Sequence, residues 1–195
     1  MSHLPEQLKA LAYARKRGTE APVESIRERV TATFAEIEAL VDGVEAAEAR
    51  VAGRASAWSV QEVVDHLLES DRPGFDQLQK LLRGQSSHEP IAASLQSANP
   101  LDLDWDTLRR QFRELHASIL GLLATAAGDV SLSATAPVQM VVKCADAGGV
   151  LRPVSWVEHF DWKAYAILLH AHNREHLAQI HRILQNPLPE TGVRS

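Results

Sequence analysis

Two histidines, His172 and His176, stand four residues apart in a stretch with strong helical periodicity. At that spacing two imidazoles stack on one side of a helix, close enough to share a metal ion. Two hydrogen-bonded core histidines would show the same spacing, so the pair alone does not separate these readings. Either way the rings need partners, because a buried imidazole with unsatisfied nitrogens is costly. A metal would satisfy one nitrogen of each ring. Gln179, Asp161 or a backbone carbonyl would take the other and set the ring's orientation.

The segment around this pair also holds His159, His170 and His181, five of the chain's nine histidines in all. An advance of about 100° per residue along a helix sorts them into two groups. His172 and His176 share a stripe with Tyr165, Leu168, Leu169, Gln179 and Ile183, which is read as the interior face. His159, His170 and His181 fall roughly opposite, beside Arg174, and are expected to face solvent or a partner chain. A third ligand has to come from another helix. His66 is one candidate, although it lies on the flank of its helix and periodicity leaves it half-buried. His88 in a polar loop and His116 on a further helix are alternatives that periodicity does not eliminate.

Other residues that could do chemistry are fewer. Glu175 adjoins His176 and is read either as a base at the edge of the stripe or as a surface acid paired with a cation. Asp161 and Tyr165 share the face of His172 one to three turns earlier, where they would line a pocket or, for Tyr165, join the core. Cys144 is the only cysteine, so the chain cannot close an intramolecular disulfide or build a thiolate cluster. It is read as a buried, inert thiol. The run His172-Asn173-Arg174-Glu175-His176 also fits H-x-x-E-H, an inverted zinc-protease pattern. That pattern needs an acidic ligand well downstream, and only 19 residues follow His176. Trp58, Trp105, Trp156 and Trp162 are read first as packing residues.

The elements that must position these side chains are helical. Ile26, Val30, Phe34, Ile37, Leu40, Val41 and Val44 mark a first long helix over about 23–48. Ser59, with Glu62 three residues on, caps a second that runs to about Leu82, with Pro73 expected to bend or split it. Residues 83–100 read as a polar loop. A third helix spans about 101–127, closed by Gly128-Asp129. Residues 138–144 and 149–154 flank a turn at 145–148 and suggest a short hairpin. The fourth helix runs from about Val157 to Gln185. The layout expected is all-α, a four-helix bundle with a short irregular or hairpin insertion before the last helix. Residues 1–22 form a leader, 23–186 the bundle and 187–195 a tail.

Bulk composition narrows the function classes. The chain has 195 residues, 45% hydrophobic and 23% charged, with a net charge of −5. It can bury a core without staples. The acidic balance and scattered Lys and Arg argue against nucleic acid as partner. No apolar run is long enough for a signal peptide or a membrane span, which leaves the cytoplasm as the expected location.

The segment Trp58-Ser59-Val60-Gln61-Glu62-Val63-Val64-Asp65-His66-Leu67 resembles the first signature of DinB-like proteins, in which Trp and Ser open a helix and His follows eight residues after Trp. His172-Asn173-Arg174-Glu175-His176-Leu177-Ala178-Gln179-Ile180 resembles their second signature, H-x3-H-x2-Q-I. The order and separation of the two agree, and the likeness covers roughly residues 23–185. The resemblance implies a bundle of the up-down-down-up type, commonly a homodimer, that binds a divalent metal through three histidines. Carried over by motif position, these are His66, His172 and His176, with Gln179, Asp161, Tyr165 and Glu175 as candidate supporting residues. Zinc, nickel and iron all suit nitrogen ligands. The resemblance further implies a small-molecule substrate and, in members with known activity, transfer or isomerisation that depends on a low-molecular-weight thiol. Three imidazoles leave coordination positions open, so a bound thiol or water would be a nucleophile near neutral pH, in thiol transfer or hydrolysis. The contrasting expectation is a non-catalytic, stress-related binding or scaffold protein whose metal is structural or absent. The leader and the hairpin depart from a minimal family pattern and are expected to reshape the mouth of the pocket.

Overall fold

Ser59 starts the helix on which His66 sits. Its hydroxyl accepts the Glu62 N–H, and the Glu62 carboxylate accepts the Ser59 N–H at 2.7 Å. This is the reciprocal pair expected from the S-x-x-E spacing. The computed structural model describes residues 5–54, 58–92, 94–127, 130–145 and 149–187. In chain order the elements are α1 (Pro5–Ala14), a π-helical turn at Arg15–Thr19, α2 (Val23–Asp42), α3 (Ala46–Ala49), α4 (Val60–Leu82), a 3₁₀ turn at Pro100–Asp102, α5 (Trp105–Thr125), β1 (Ala136–Ala145), β2 (Leu151–Phe160) and α6 (Trp162–Gln185).

The protein is mostly helical. α2 packs against α5 and α6, and α4 packs against the same two helices. Their inward stripes build two adjoining cores. One gathers Phe34, Leu78, Ile119 and Trp162, and the other Ile37, Leu67, Phe112 and Ile180. Each such fully buried side chain contributes roughly 1.5–3 kcal/mol through removal of apolar surface from water. Among the described residues no helix is long and apolar enough to cross a membrane.

Several elements differ from the sequence reading. The first long helix stops at Asp42 rather than near Glu48, because Gly43 ends it and the chain turns before α3. α4 is neither split nor interrupted at Pro73. Proline withdraws one N–H, and a helix packed on both α5 and α6 retains the rest of its ladder. α5 begins at Trp105, where the Asp104 side chain accepts the Thr107 N–H. Its expected closure at Gly128-Asp129 lies outside the described residues.

The largest difference is the hairpin. β1 and β2 pair antiparallel over their full lengths, from Ala136 opposite Phe160 to Ala145 opposite Leu151. The sheet therefore takes residues 157–160 that periodicity assigned to the last helix, and the chain is not all-α. Along Ser155–His159 every second residue is exposed, the period of a strand with one covered face. The turn at 146–148 lies outside the described residues. Asp161 then opens α6, its carboxylate accepting the N–H groups of Lys163 and Ala164.

The leader is an ordered element packed on α6. A Cβ at Gly18 would stand 2.4 Å from the Ala164 Cα, so this contact requires glycine. Thr19 Oγ1 donates to Asp161 Oδ2 at 2.5 Å, and Lys163 Nζ donates to the Thr19 carbonyl at 2.9 Å. Ala14, Met140, Phe160 and Ala164 form a small third core where α1, the hairpin and α6 meet.

Candidate metal centre

His66 projects from α4 while His172 and His176 project from α6, one turn apart. Their facing nitrogens all lie within 4.8 Å of one another. His66 Nε2 stands 3.2 Å from His172 Nε2. Two nitrogens held at about 2.0–2.1 Å by one tetrahedral ion stand about 3.3 Å apart. The closest pair is thus already at the spacing such an ion would impose, and small ring movements would bring in the third.

The tautomers follow from the outer partners. His66 Nδ1 donates to the Leu95 carbonyl at 2.7 Å, and His176 Nδ1 donates to Gln179 Oε1 at 2.8 Å. With the proton on Nδ1, each ring turns an unprotonated Nε2 inward, which is the form that binds a cation. Burial holds all three rings below the ordinary imidazole pKa. His172 is pushed down to about 3, by burial first and then by His176 and His66. His176 is pushed down to about 4 by burial and His66, against the pull of Gln179. His66 is lowered by burial, with the Leu95 hydrogen bond and the Asp65 carboxylate acting in the other direction. Three neutral imidazoles aimed at one point suit a divalent transition metal.

Sequence reasoning missed Asp71. This carboxyl on α4 is fully buried, and one oxygen, Oδ2, accepts from Asn173 Nδ2 at 3.0 Å. The other, Oδ1, has no hydrogen-bond partner among the described residues and lies 3.9 Å from His172 Nδ1. Burial pushes the Asp71 carboxyl up to about 7, with the Asn173 bond opposing. Of the three histidines, His172 is the one whose outer nitrogen faces a carboxylate. The only sequence signal for Asp71 was an acid inside an otherwise apolar stripe, one turn before Gly74 and two before Leu78.

A cavity of about 610 Å³ opens over the three rings. Trp58 walls it, tilted against His66 at 5.1 Å and stacked on His176 at 6.4 Å between ring centroids. Tyr165 and Glu175 line it, as do Ala10 and Tyr13 of α1 and Pro137–Val142 of β1. The leader and hairpin therefore form part of the cavity wall. Burial and Asp71 raise the Tyr165 phenol well above its usual range, so it stays protonated.

Other candidates lie elsewhere. Asp161 is committed to the cap of α6 and to Thr19, and makes no hydrogen bond to the three histidines. His88 is exposed. His116 is fully buried, stacked on Phe34 at 3.6 Å, with Nδ1 bonded to Glu38 Oε1 at 2.6 Å. His170, expected on an open face, is buried and bonded through Nδ1 to Thr33 Oγ1 at 2.9 Å. The reason is that α6 packs against both α2 and α4, so the face opposite the pair is covered. His181 is exposed on α6, as the periodicity predicts; His159 is exposed too, but on β2 rather than on a helix face. Cys144 is buried, and that burial together with Glu6 raises its thiol pKa, which leaves it unreactive.

No family model matches this chain, and no curated protein matches it. Solved structures do. The crystal structure of the mycothiol-dependent maleylpyruvate isomerase superposes with a TM-score of 0.61 at 12% identity over 83% of this chain. A histidine-to-alanine mutant of that isomerase gives 0.62 at 11% identity over 83%. The chain spans 62% of the length of each, less than two thirds. At these identities the likeness establishes a shared fold.

Proposed function

We propose that this chain is a metal-dependent enzyme built on a DinB-like four-helix bundle, acting on a small molecule through an activated thiol or water nucleophile. The observation that carries the reading is the convergence of His66, His172 and His176 on one point beneath a cavity, with no fourth His, Cys, Asp or Glu in the cluster among the described residues. A structural site closes its fourth position with a protein ligand, whereas a catalytic one leaves it open. A divalent ion held there would supply Lewis acidity, lowering the pKa of a bound thiol or water toward neutrality.

The chain's own residues do the rest. Leu95 and Gln179 fix the tautomers of His66 and His176, and Asp71 takes the same role toward His172 once that ring tightens. Tyr165 offers a proton that it does not release, so it serves as a hydrogen-bond donor. Trp58 and the leader helix exclude water from the back and mouth of the cavity. The thiol-dependent branch, transfer or isomerisation, draws support from the mycothiol dependence named for the similar structures. Hydrolysis is the variant in which water takes the thiol's place. Assembly as a homodimer and residence in the cytoplasm belong to the same reading, as does the division into a leader of 1–22, a catalytic unit of 23–186 and a tail.

Metal analysis tests this. Protein purified without a histidine tag and loaded with zinc, nickel or iron should hold about one ion per chain, and His172→Ala should lose it. Addition of a small thiol to the cobalt-substituted protein should change its ligand-field spectrum. Absence of metal after loading would overturn the site; a spectrum indifferent to thiol and pH would favour a scaffold with a closed centre.

A further inference from the structure

Among the described residues the cavity over the histidines is lined by no lysine or arginine, although the chain carries 20 of them. The charged side chains that do reach it are both acids, Asp71 and Glu175. Basic residues that neighbour the lining in sequence are turned elsewhere. Arg72, next to Asp71, bonds Glu69 and Gln111 on the outer face. Arg174, next to Glu175, pairs with Glu36 on α2. Lys163, near Tyr165, is held by the Thr19 carbonyl. Lys9 and Lys143, beside lining residues, are exposed and outside the lining.

What the wall does offer is apolar surface and neutral hydrogen-bonding groups. Trp58, Ile91, Val138, Met140, Leu168 and Leu169 supply the first. For the second, Ser70, Ser94 and Tyr13 contribute hydroxyls. β1 contributes six consecutive residues, Pro137–Val142. Side chains alternate between the faces of a strand, so a run of consecutive lining residues brings backbone as well as side chains to the wall. Backbone amide groups are uncharged donors and acceptors.

From this composition we infer that the part of the substrate lying away from the histidines is uncharged and largely apolar, held by β1 and the α1 wall, and that an anionic group in that part of the cavity is rejected. The inference rests on the proposed enzymatic reading of the same site and specifies its substrate class. A carboxylate or phosphate away from the histidines would give up its hydration and meet two acids with no counter-charge, a cost that nothing in the wall offsets. An uncharged molecule of the same shape gives up far less hydration, and the neutral hydrogen-bonding groups of the wall can replace what it loses. The volume, about 610 Å³, falls within the range that encloses one small organic ligand.

Ring-matched probes decide this, with 2-naphthylmethanol and 2-naphthoate titrated by calorimetry into EDTA-treated and zinc-loaded protein. In the metal-free protein, where a carboxylate has no ion to bind, the alcohol should bind at least about tenfold more tightly than the naphthoate. Val142→Lys places a cation in the cavity wall and should reverse that order, with its melting temperature checked to confirm folding. Equal or tighter binding of naphthoate by metal-free wild-type protein would overturn the inference, as would an alcohol that fails to bind at millimolar concentration. Zinc stoichiometry is read separately, so loss of the metal centre and loss of the apolar preference are distinguishable outcomes.

Discussion

Asp71→Asn should have opposite effects on the metal-free and the metal-loaded protein. The side chain is fully buried, and burial raises its carboxyl from the usual 3.8 to about 7. Between those values the folded chain keeps a proton that the unfolded chain has released. Stability therefore falls as pH rises through that window, and above pH 7 the full cost is present. At 1.36 kcal/mol per pKa unit the penalty is on the order of 4 kcal/mol at pH 8 and about half that at pH 5. Asparagine keeps the shape and can still accept from Asn173 Nδ2, but it carries no charge. Urea unfolding of EDTA-treated wild-type and variant protein at pH 5 and pH 8 isolates this term, because every other titrating group is common to both. The variant should gain about 2–3 kcal/mol on the wild type between the two pH values. With metal present the sign reverses: losing the carboxylate behind His172 should weaken zinc binding by roughly 10–100-fold. A pH-independent stability difference, or unchanged zinc affinity, would refute the assigned environment of Asp71.

Three further substitutions probe the surrounding architecture. His116 is buried with its pKa lowered, chiefly by desolvation, so the folded chain resists a proton that the unfolded chain takes up below about pH 6.5. Its contribution is present above that pH and lost on acidification, and His116→Phe should flatten the acid-side fall in stability between pH 7.5 and 5, measured by urea titration. Gly18→Ala would drive a methyl into the Ala164 backbone; it should cost about 1–3 kcal/mol and lower the melting temperature, and a neutral effect would mean that the leader does not seat on α6. Ser59→Ala removes one half of the capping pair on α4 and should cost about 1 kcal/mol in chemical denaturation.

Some of this was legible in the amino-acid order. The Ser59–Glu62 cap, the four long apolar stripes and the inward facing of His172 and His176 are local consequences of spacing, and local geometry follows spacing closely. The hairpin was legible only in part. Alternation along 155–159 is the signal of a strand, but the residues abut a helix rich in the same types, and the boundary depends on Asp161 capping α6. Pro73 does not split α4, since a propensity that breaks an isolated helix is overridden in one packed on two neighbours.

His170 and Asp71 mark where spacing stops being informative. A hydrophobic stripe says which face is buried when a helix has one covered side, but α6 is covered by α2 as well as α4, so a polar-looking face is interior. The sequence by itself determined the main helices, the spacing of His172 and His176 within α6 and the absence of an intramolecular disulfide, because the first two depend on residues a few positions apart and the last on there being one cysteine. Only the tertiary structure decided that His66 joins His172 and His176, that Asp71 lies behind His172, and that the leader and β1 wall the cavity. Those contacts join residues up to about a hundred or more positions apart, and which of them meet is set by how the helices pack.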